Sequence, residues 1–129
     1  MKVFVKNGTI VSETGQYQGD LCIENGVISQ IGTHLEPASE EEQVIDAAGK
    51  YVLPGGVDVH THMDLLAGSS RAVDDFYDGT VAAACGGTTS IVDHMAFGPA
   101  GCPLHHQLNE YHGLADHKAV IDYGFHGTC

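Results

Sequence analysis

After Pro54 the sequence alternates between segments typical of β-strands and segments typical of α-helices, and this alternation constrains the fold more than any other feature. The strand-like segments are 57–62, 88–93 and 119–125, and the helix-like segments run to about Ala84 and from Leu104 to Ala115. Strands that alternate with helices along a chain are typical of β-α units, which build a parallel sheet. We therefore predict an α/β fold for this part of the chain.

The ends of the two helices are also indicated. Ser70 or Asp74 is the predicted N-cap of the first helix, and the pair Gly86-Gly87 is suited to end it. Pro103 suits the first turn of the second helix, because a proline there gives up no helical hydrogen bond. The segments predicted to be loops are 63–72 and 95–103.

Two histidines close the first predicted strand. Side chains two residues apart share a face of a strand, so Asp58, His60 and His62 point the same way. The opposite face carries Val57, Val59 and Thr61. That face is expected to be buried, which leaves the two imidazoles free to bind one metal ion. The alternative is two polar histidines on a half-exposed strand.

The first fifty residues are rich in short strand patterns and tight turns. Asn7-Gly8 and Asn25-Gly26 each lie between β-branched or apolar residues, and Asn-Gly is a strong hairpin signal. The polar segment 33–43 is predicted to be a solvated loop. Two further short strands are expected at 44–46 and 51–53.

Composition excludes several classes of function. The 129 residues carry a formal net charge of −12, which disfavours binding to nucleic acid or to an anionic membrane surface. No apolar run approaches the length of a membrane span. The four cysteines lack a Cys-x-x-Cys pair and suggest a reducing, cytoplasmic location. They are Cys22, Cys85, Cys102 and Cys129.

Three parallel strands with two covering helices do not complete an α/β layer structure. The edge of such an unfinished sheet would remain open to other chains. We therefore expect the chain to be the front part of a larger fold, or to need a partner that completes it.

Five segments together resemble the N-terminal portion of the dihydropyrimidinase and D-hydantoinase branch of the amidohydrolase superfamily, including its phenylhydantoinase-like members. They are Lys6–Val11, Ile23–Ile28, Pro54–His62, Ala84–His94 and Asp122–His126. The Pro54–His62 segment resembles the metal-binding strand shared by the superfamily. The segments at 84–94 and 122–126 resemble the narrower branch.

The resemblance implies a two-part architecture, incomplete as given. Residues 1–52 would be part of a small composite β-sandwich domain. Residues 53–129 would be the first β/α units of a TIM-like (β/α)8 barrel. Active sites of such barrels lie at the C-terminal ends of the strands, where His60 and His62 stand.

The resemblance also implies a chemistry. Relatives hydrolyse the cyclic amide bond of dihydropyrimidines or 5-substituted hydantoins to N-carbamoyl amino acids. They use two divalent ions per complete active site, usually zinc, with manganese or other ions as alternatives, and commonly form homotetramers. His60 and His62 would ligate the more buried ion. The other metal ligands and the proton-shuttling aspartate of the family lie beyond the third strand, so no catalytic residue is assigned here.

A chain with two of these ligands is expected to be inactive alone, because catalytic zinc normally has three protein ligands. The alternatives are a non-catalytic truncated product, half of a split enzyme that needs a partner chain, and a metal-free relative that has lost catalysis. The retained histidine pair argues against the last.

Other polar residues are weighed against simpler roles. Asp58 could orient an imidazole or make a structural hydrogen bond, and Asp64 could face the pocket. For four residues at strand ends, ordinary polar packing is favoured over a pocket role: Asp93, His94, Asp122 and His126. A solvated helix face is favoured for His105, His106, His112 and His117.

Overall fold

The computed structural model describes residues 1–127, so the expectation for Cys129 lies outside the described residues. The chain divides into two compact units, one from Met1 to Pro54 and one that begins at Gly55. The fold is mixed α/β, as predicted. Neither helix in the described part of the chain has the length and apolar character needed to cross a membrane.

The first unit is a mixed five-stranded sheet. Its strands are β1 (Lys2–Ser12), β2 (Gly15–Glu24), β3 (Val27–Gly32), β4 (Gln43–Asp46) and β5 (Tyr51–Val52). The order is β3-β2-β1-β4, and β5 also pairs with β1. The hairpin predicted at Asn25-Gly26 is confirmed, since these two residues connect β2 to β3 with φ angles of 52° and 81°. Positive φ at both central positions suits the twist of a two-residue hairpin.

The hairpin predicted at Asn7-Gly8 is wrong. β1 runs through both residues, and the pairing register with β2 shifts between Val5 and Gly8, which is a β-bulge. Asn7 takes a positive φ of 63° at this bulge, a conformation that asparagine tolerates better than most residues. Its N–H donates to Asp20 Oδ1 at 2.8 Å, so a side chain of the partner strand binds the irregular backbone. The chain therefore continues, and turns only after Ser12.

The second unit carries the predicted strand and helix alternation. Its elements are β6 (Gly56–Thr61), β7 (Leu66–Ala67), β8 (Ser70–Arg71), α1 (Phe76–Cys85), β9 (Thr88–His94), α2 (Leu104–Ala115) and β10 (Asp122–His126). β6, β9 and β10 form a parallel sheet in the order β10-β9-β6. Both predicted helices are present, and so is the loop at 95–103. The loop predicted at 63–72 instead contains the small β7-β8 hairpin.

The cap of α1 differs from the prediction. Neither Ser70 nor Asp74 caps it. The N-cap is Asp75, whose carboxylate accepts hydrogen bonds from the N–H groups of Tyr77 and Asp78. The helix does end at the predicted glycines, with Gly86 as C-cap. Pro103 precedes the first turn of α2 as its N-cap.

The core of the second unit lies on the central strand. It consists of Phe76, Ile91, Met95, Tyr111 and Ala115. The expectation that Val57 and Val59 are buried is wrong for the described residues, because their side chains are 62% and 61% exposed. The reason is position: β6 is an edge strand, whereas α1 packs on β9 and α2 contacts the aromatic residues of β10.

Candidate metal centre

The rings of His60 and His62 converge at the carboxyl end of β6. Their Nε2 atoms are 3.1 Å apart, and their ring centroids are 5.0 Å apart. Two imidazoles on one tetrahedral zinc ion, with Zn–N bonds of about 2.0–2.1 Å, bring their nitrogens to roughly 3.3 Å. Both residues are exposed, so an ion can reach them. The pair therefore fits a shared divalent cation.

Two more histidines, His94 and His126, lie at the neighbouring strand ends. The sequence favoured ordinary polar packing for both. The ring of His94 stacks on that of His60, with centroids 3.8 Å apart and planes 19° apart. The ring of His126 lies 4.6 Å from that of His94. Partial burial, followed by its histidine neighbours, lowers the pKa of His94 below its ordinary value. The clue in the sequence was that each of these histidines ends a strand of one parallel sheet.

The cluster does not form a complete ligand set. Within residues 1–127, no group of three or more His, Cys, Asp or Glu residues is arranged to hold a metal ion. The stack presents the face of His94 to His60, whereas a metal ion binds a ring nitrogen in the plane of the ring. In the described chain, two imidazoles are therefore the groups that could bind a metal ion here.

Asp93 lies on the other side of the same strands. Its side chain is fully buried, and its Oδ2 accepts hydrogen bonds from Thr61 Oγ1 at 2.7 Å and from Met63 N at 2.8 Å. Burial raises the pKa of Asp93, and the two hydrogen bonds oppose that shift. Its Oδ1 is buried and has no hydrogen-bond partner among residues 1–127. Asp93 thus binds the chain on both sides of His62.

Two other aspartates near the pair have structural contacts. Asp58 Oδ1 accepts a hydrogen bond from the backbone N–H of His60 at 3.0 Å. Of the two roles considered for Asp58, this contact is the structural hydrogen bond and does not orient an imidazole. Asp64 is buried and accepts from Arg71 Nη1 at 3.1 Å. It lines a cavity of about 450 Å³ that His62 does not line.

The remaining candidates lie outside this cluster. Asp122 is exposed on β10. On α2 the side chains of His105 and His112 are exposed, and His106 is half-buried. His112 Nδ1 lies 3.8 Å from Asp116 Oδ1, and His117 follows the helix as an exposed residue. His105 and His117 thus match the solvated surface that the sequence favoured. His106 instead lines the 450 Å³ cavity, and the ring of His112 packs edge-on against Phe125 with centroids 5.1 Å apart.

A cavity of about 620 Å³ opens beside the histidine pair. His62 and His94 form its polar part, and the β7 turn and residues 95–97 form most of its apolar part. The loop at Ala96 is held by α2, since Tyr111 Oη accepts from Ala96 N and Gln107 Nε2 donates to Ala96 O, both at 2.8 Å. The site thus combines two metal-competent imidazoles with an apolar recess.

Comparison with known proteins shows the family of the chain. Residues 43–111 match the sequence profile of the amidohydrolase family, which is more than half of the chain. The chain therefore belongs to the amidohydrolase family. Proteins of this family generally depend on divalent metal ions.

The more similar relatives are hydantoinases. The D-phenylhydantoinase of Escherichia coli (strain K12 / DH10B) is 58% identical over 128 residues, which are 99% of this chain and 28% of the relative. A crystal structure of D-hydantoinase matches 98% of this chain with a TM-score of 0.91 and 48% identity, over 27% of its own length. The dihydropyrimidinase of Brevibacillus agri NCHU1002 matches 98% of this chain and 27% of its own, with a TM-score of 0.89 and 45% identity. These similarities confirm the resemblance inferred from the motifs. The chain spans just over a quarter of the length of these relatives.

Proposed function

We propose that this chain is part of a metal-dependent cyclic amidohydrolase. The reaction proposed is hydrolysis of the ring amide bond of a dihydropyrimidine or a 5-substituted hydantoin, which gives an N-carbamoyl amino acid. The observation that carries the proposal is the 3.1 Å approach of His60 Nε2 and His62 Nε2 at a strand end. The identity of 58% to a D-phenylhydantoinase supports the choice of substrate class.

His60 and His62 would hold the more buried of two divalent ions, zinc or a substitute such as manganese. When bound, such an ion supplies Lewis acidity: it lowers the pKa of water toward about 7 and polarises a carbonyl oxygen. The two histidines would bind the ion through their Nε2 atoms, which are the ring nitrogens that approach each other.

The cavity beside His62 would receive the small cyclic substrate. Its apolar walls, formed by the β7 turn and by Met95, Ala96 and Phe97, suit an apolar ring substituent. Its polar side is formed by His62 and His94, so a ring carbonyl of the substrate would face the histidines. Substrate orientation thus follows from the separation of polar and apolar walls.

The wider assignments remain part of this proposal. Residues 1–52 would contribute to a composite β-sandwich and residues 53–129 to the opening units of a (β/α)8 barrel. The complete enzyme would be a cytoplasmic homotetramer. By itself the 129-residue chain would be inactive, because catalytic zinc takes three protein ligands and the described residues bring two imidazoles together.

The metal step can be tested on the purified 129-residue chain. Zinc ions are titrated while the imidazole nitrogen resonances of His60 and His62 are followed by NMR. We expect the Nε2 resonances of both to shift together, and H60A or H62A to abolish the shift of the other. H105A is the matched control, because His105 is an exposed histidine on α2. Independent or absent shifts of the two rings would contradict the shared site.

The reaction itself is tested in the complete protein that contains this chain. Hydantoin opening is measured by release of the N-carbamoyl product, and H60A and H62A are expected to abolish it while H105A retains it. The isolated chain should show no turnover. If it does show turnover as a monomer, the requirement for further ligands is refuted. If it gains turnover only with a second polypeptide, the split-enzyme alternative is supported.

A further inference from the structure

We propose that two consecutive residues of β9, Asp93 and His94, are positioning residues that hold the metal-binding pair from opposite faces of the sheet. This inference rests on the proposed metal site at His60 and His62. Neither Asp93 nor His94 would bind the ion, although His94 also lines the cavity beside His62. The inference explains how an exposed edge strand can present two imidazoles in a fixed geometry.

The need for support follows from the position of β6. It is the edge strand of its sheet, its side chains are exposed along most of its length, and it pairs only with β9 among the described residues. Its register with β9 is irregular between Asp58 and Thr61, and this stretch contains His60. A ligand pair on such a strand needs contacts beyond the backbone ladder to stay within the narrow range of a metal site.

Asp93 supplies these contacts from the core face. It pairs with Thr61 in the sheet, so the two side chains lie on the same face. One oxygen, Oδ2, accepts from both Thr61 Oγ1 and Met63 N, which are the residues on either side of His62. The side chain of Asp93 is fully buried, so its surroundings restrict its movement. The backbone of His62 is therefore fixed on both sides by one carboxyl group.

His94 supplies the contact from the ligand face. As the next residue of β9 it points to the opposite side of the sheet from Asp93. Its ring lies on that of His60 with centroids 3.8 Å apart, and it stands 5.6 Å from that of His62. The near-parallel stack fixes the plane of the His60 ring. Asp93 thus fixes the main chain of one ligand, and His94 fixes the ring of the other.

The experiment compares zinc affinity with stability in the same variants of the 129-residue chain. Zinc alone is the probe, and its dissociation constant is read from the imidazole resonances of His60 and His62. We expect D93A to weaken zinc binding by roughly 10- to 100-fold, as is usual when a residue that orients a ligand is lost. D93N should keep most of the affinity, because one amide oxygen can still accept both hydrogen bonds.

Two variants keep the test decisive if D93A does not fold. T61V removes one of the two donors and should weaken binding by about two- to tenfold, the usual net value of one hydrogen bond. H94A should weaken binding by about the same factor through loss of the ring contact. H94F retains an aromatic ring without nitrogen and should restore the affinity.

T80V is the matched control. Thr80 is as buried as Asp93 and also bonds to backbone, donating to Phe76 O and accepting from Val120 N. These partners are not in segment 60–63. T80V should lower stability and leave zinc affinity unchanged. If T80V weakens zinc binding as much as D93A, the effect is one of general stability and the inference is refuted.

Three further results would overturn the inference. D93A could bind zinc as tightly as the unaltered chain does. D93N could lose as much zinc affinity as D93A, or H94F could lose as much zinc affinity as H94A. The second would indicate a charge effect, and the third would indicate that His94 is itself a ligand. If the unaltered chain shows no zinc response at His60 and His62, the proposed metal site fails first, which distinguishes that failure from failure of the support by β9.

Discussion

Replacing Tyr111 by Phe should loosen the loop that borders the histidine cavity. Tyr111 Oη accepts a hydrogen bond from Ala96 N at 2.8 Å, and Ala96 is part of the cavity wall beside His62. The tyrosine side chain is 4% exposed and packs edge-on against Phe76 and Phe125. Y111F keeps this ring packing and removes only the oxygen.

The magnitude follows from the lost acceptor. A net hydrogen bond contributes about 0.5–1.5 kcal/mol, and a buried amide left without an acceptor costs about 1–3 kcal/mol. Ala96 is half-buried, so water can partly replace the phenol oxygen, and we expect a loss of about 1–2 kcal/mol. If the loss is confined to the loop, the Ala96 amide should exchange its hydrogen roughly tenfold faster, since 1.4 kcal/mol corresponds to a factor of ten.

The assay is hydrogen exchange of the Ala96 amide by NMR, together with the free energy of unfolding in urea. Y123F is the matched control, because the Tyr123 hydroxyl also makes one hydrogen bond, in this case as donor to Asp116 at an exposed site. It should leave the exchange of Ala96 unchanged. Equal protection of Ala96 in Y111F and in the unaltered chain would refute the argument that α2 holds this loop.

Two other predictions concern stability. The N–H of Asn7 lowers the pKa of Asp20 below its ordinary value, with further help from the N–H of Leu35 and against the effect of burial. Ionised Asp20 therefore stabilises the first unit above the unfolded pKa of about 3.9, and this contribution is lost as the pH falls through the lower folded pKa. In D20N the free energy of unfolding, measured by urea titration from pH 6 to pH 2, should lose that part of its acid dependence; an unchanged slope would contradict the assignment. Separately, G8A should destabilise the chain by about 1–3 kcal/mol, because the added Cβ would lie 2.5 Å from Val52 Cγ2. The same change at Gly113, an open position of α2, should stabilise by about 0.5–1 kcal/mol in the same thermal or urea measurement. If G8A and G113A change the free energy of unfolding in the same direction, backbone propensity and not crowding decides the outcome at Gly8.

The alternation of strands and helices after Pro54 could be predicted because it depends on local periodicity. Strand β9 and helix α2 have clear patterns of β-branched residues and of helical spacing, and both are present. The hairpin at Asn25-Gly26 was predictable for the same reason, because two adjacent residues with positive φ favour one kind of turn. At Asn7-Gly8 the same dipeptide forms a bulge, because Asp20 on the partner strand binds the irregular amide. The dipeptide alone does not contain that contact.

The candidate site, like the fold, was predictable only in part from the sequence. The sequence by itself determined that His60 and His62 share a face at a strand end, because alternation along a strand is a property of the backbone. Only the tertiary structure decided which side chains surround them. Asp93 and His94 are thirty or more residues away, and they reach the pair because β9 is the neighbour of β6 in the sheet. It also decided that the Val57 and Val59 face is exposed, because burial depends on which elements pack on a strand. In the described chain α1 packs on β9, and α2 contacts Phe125 of β10.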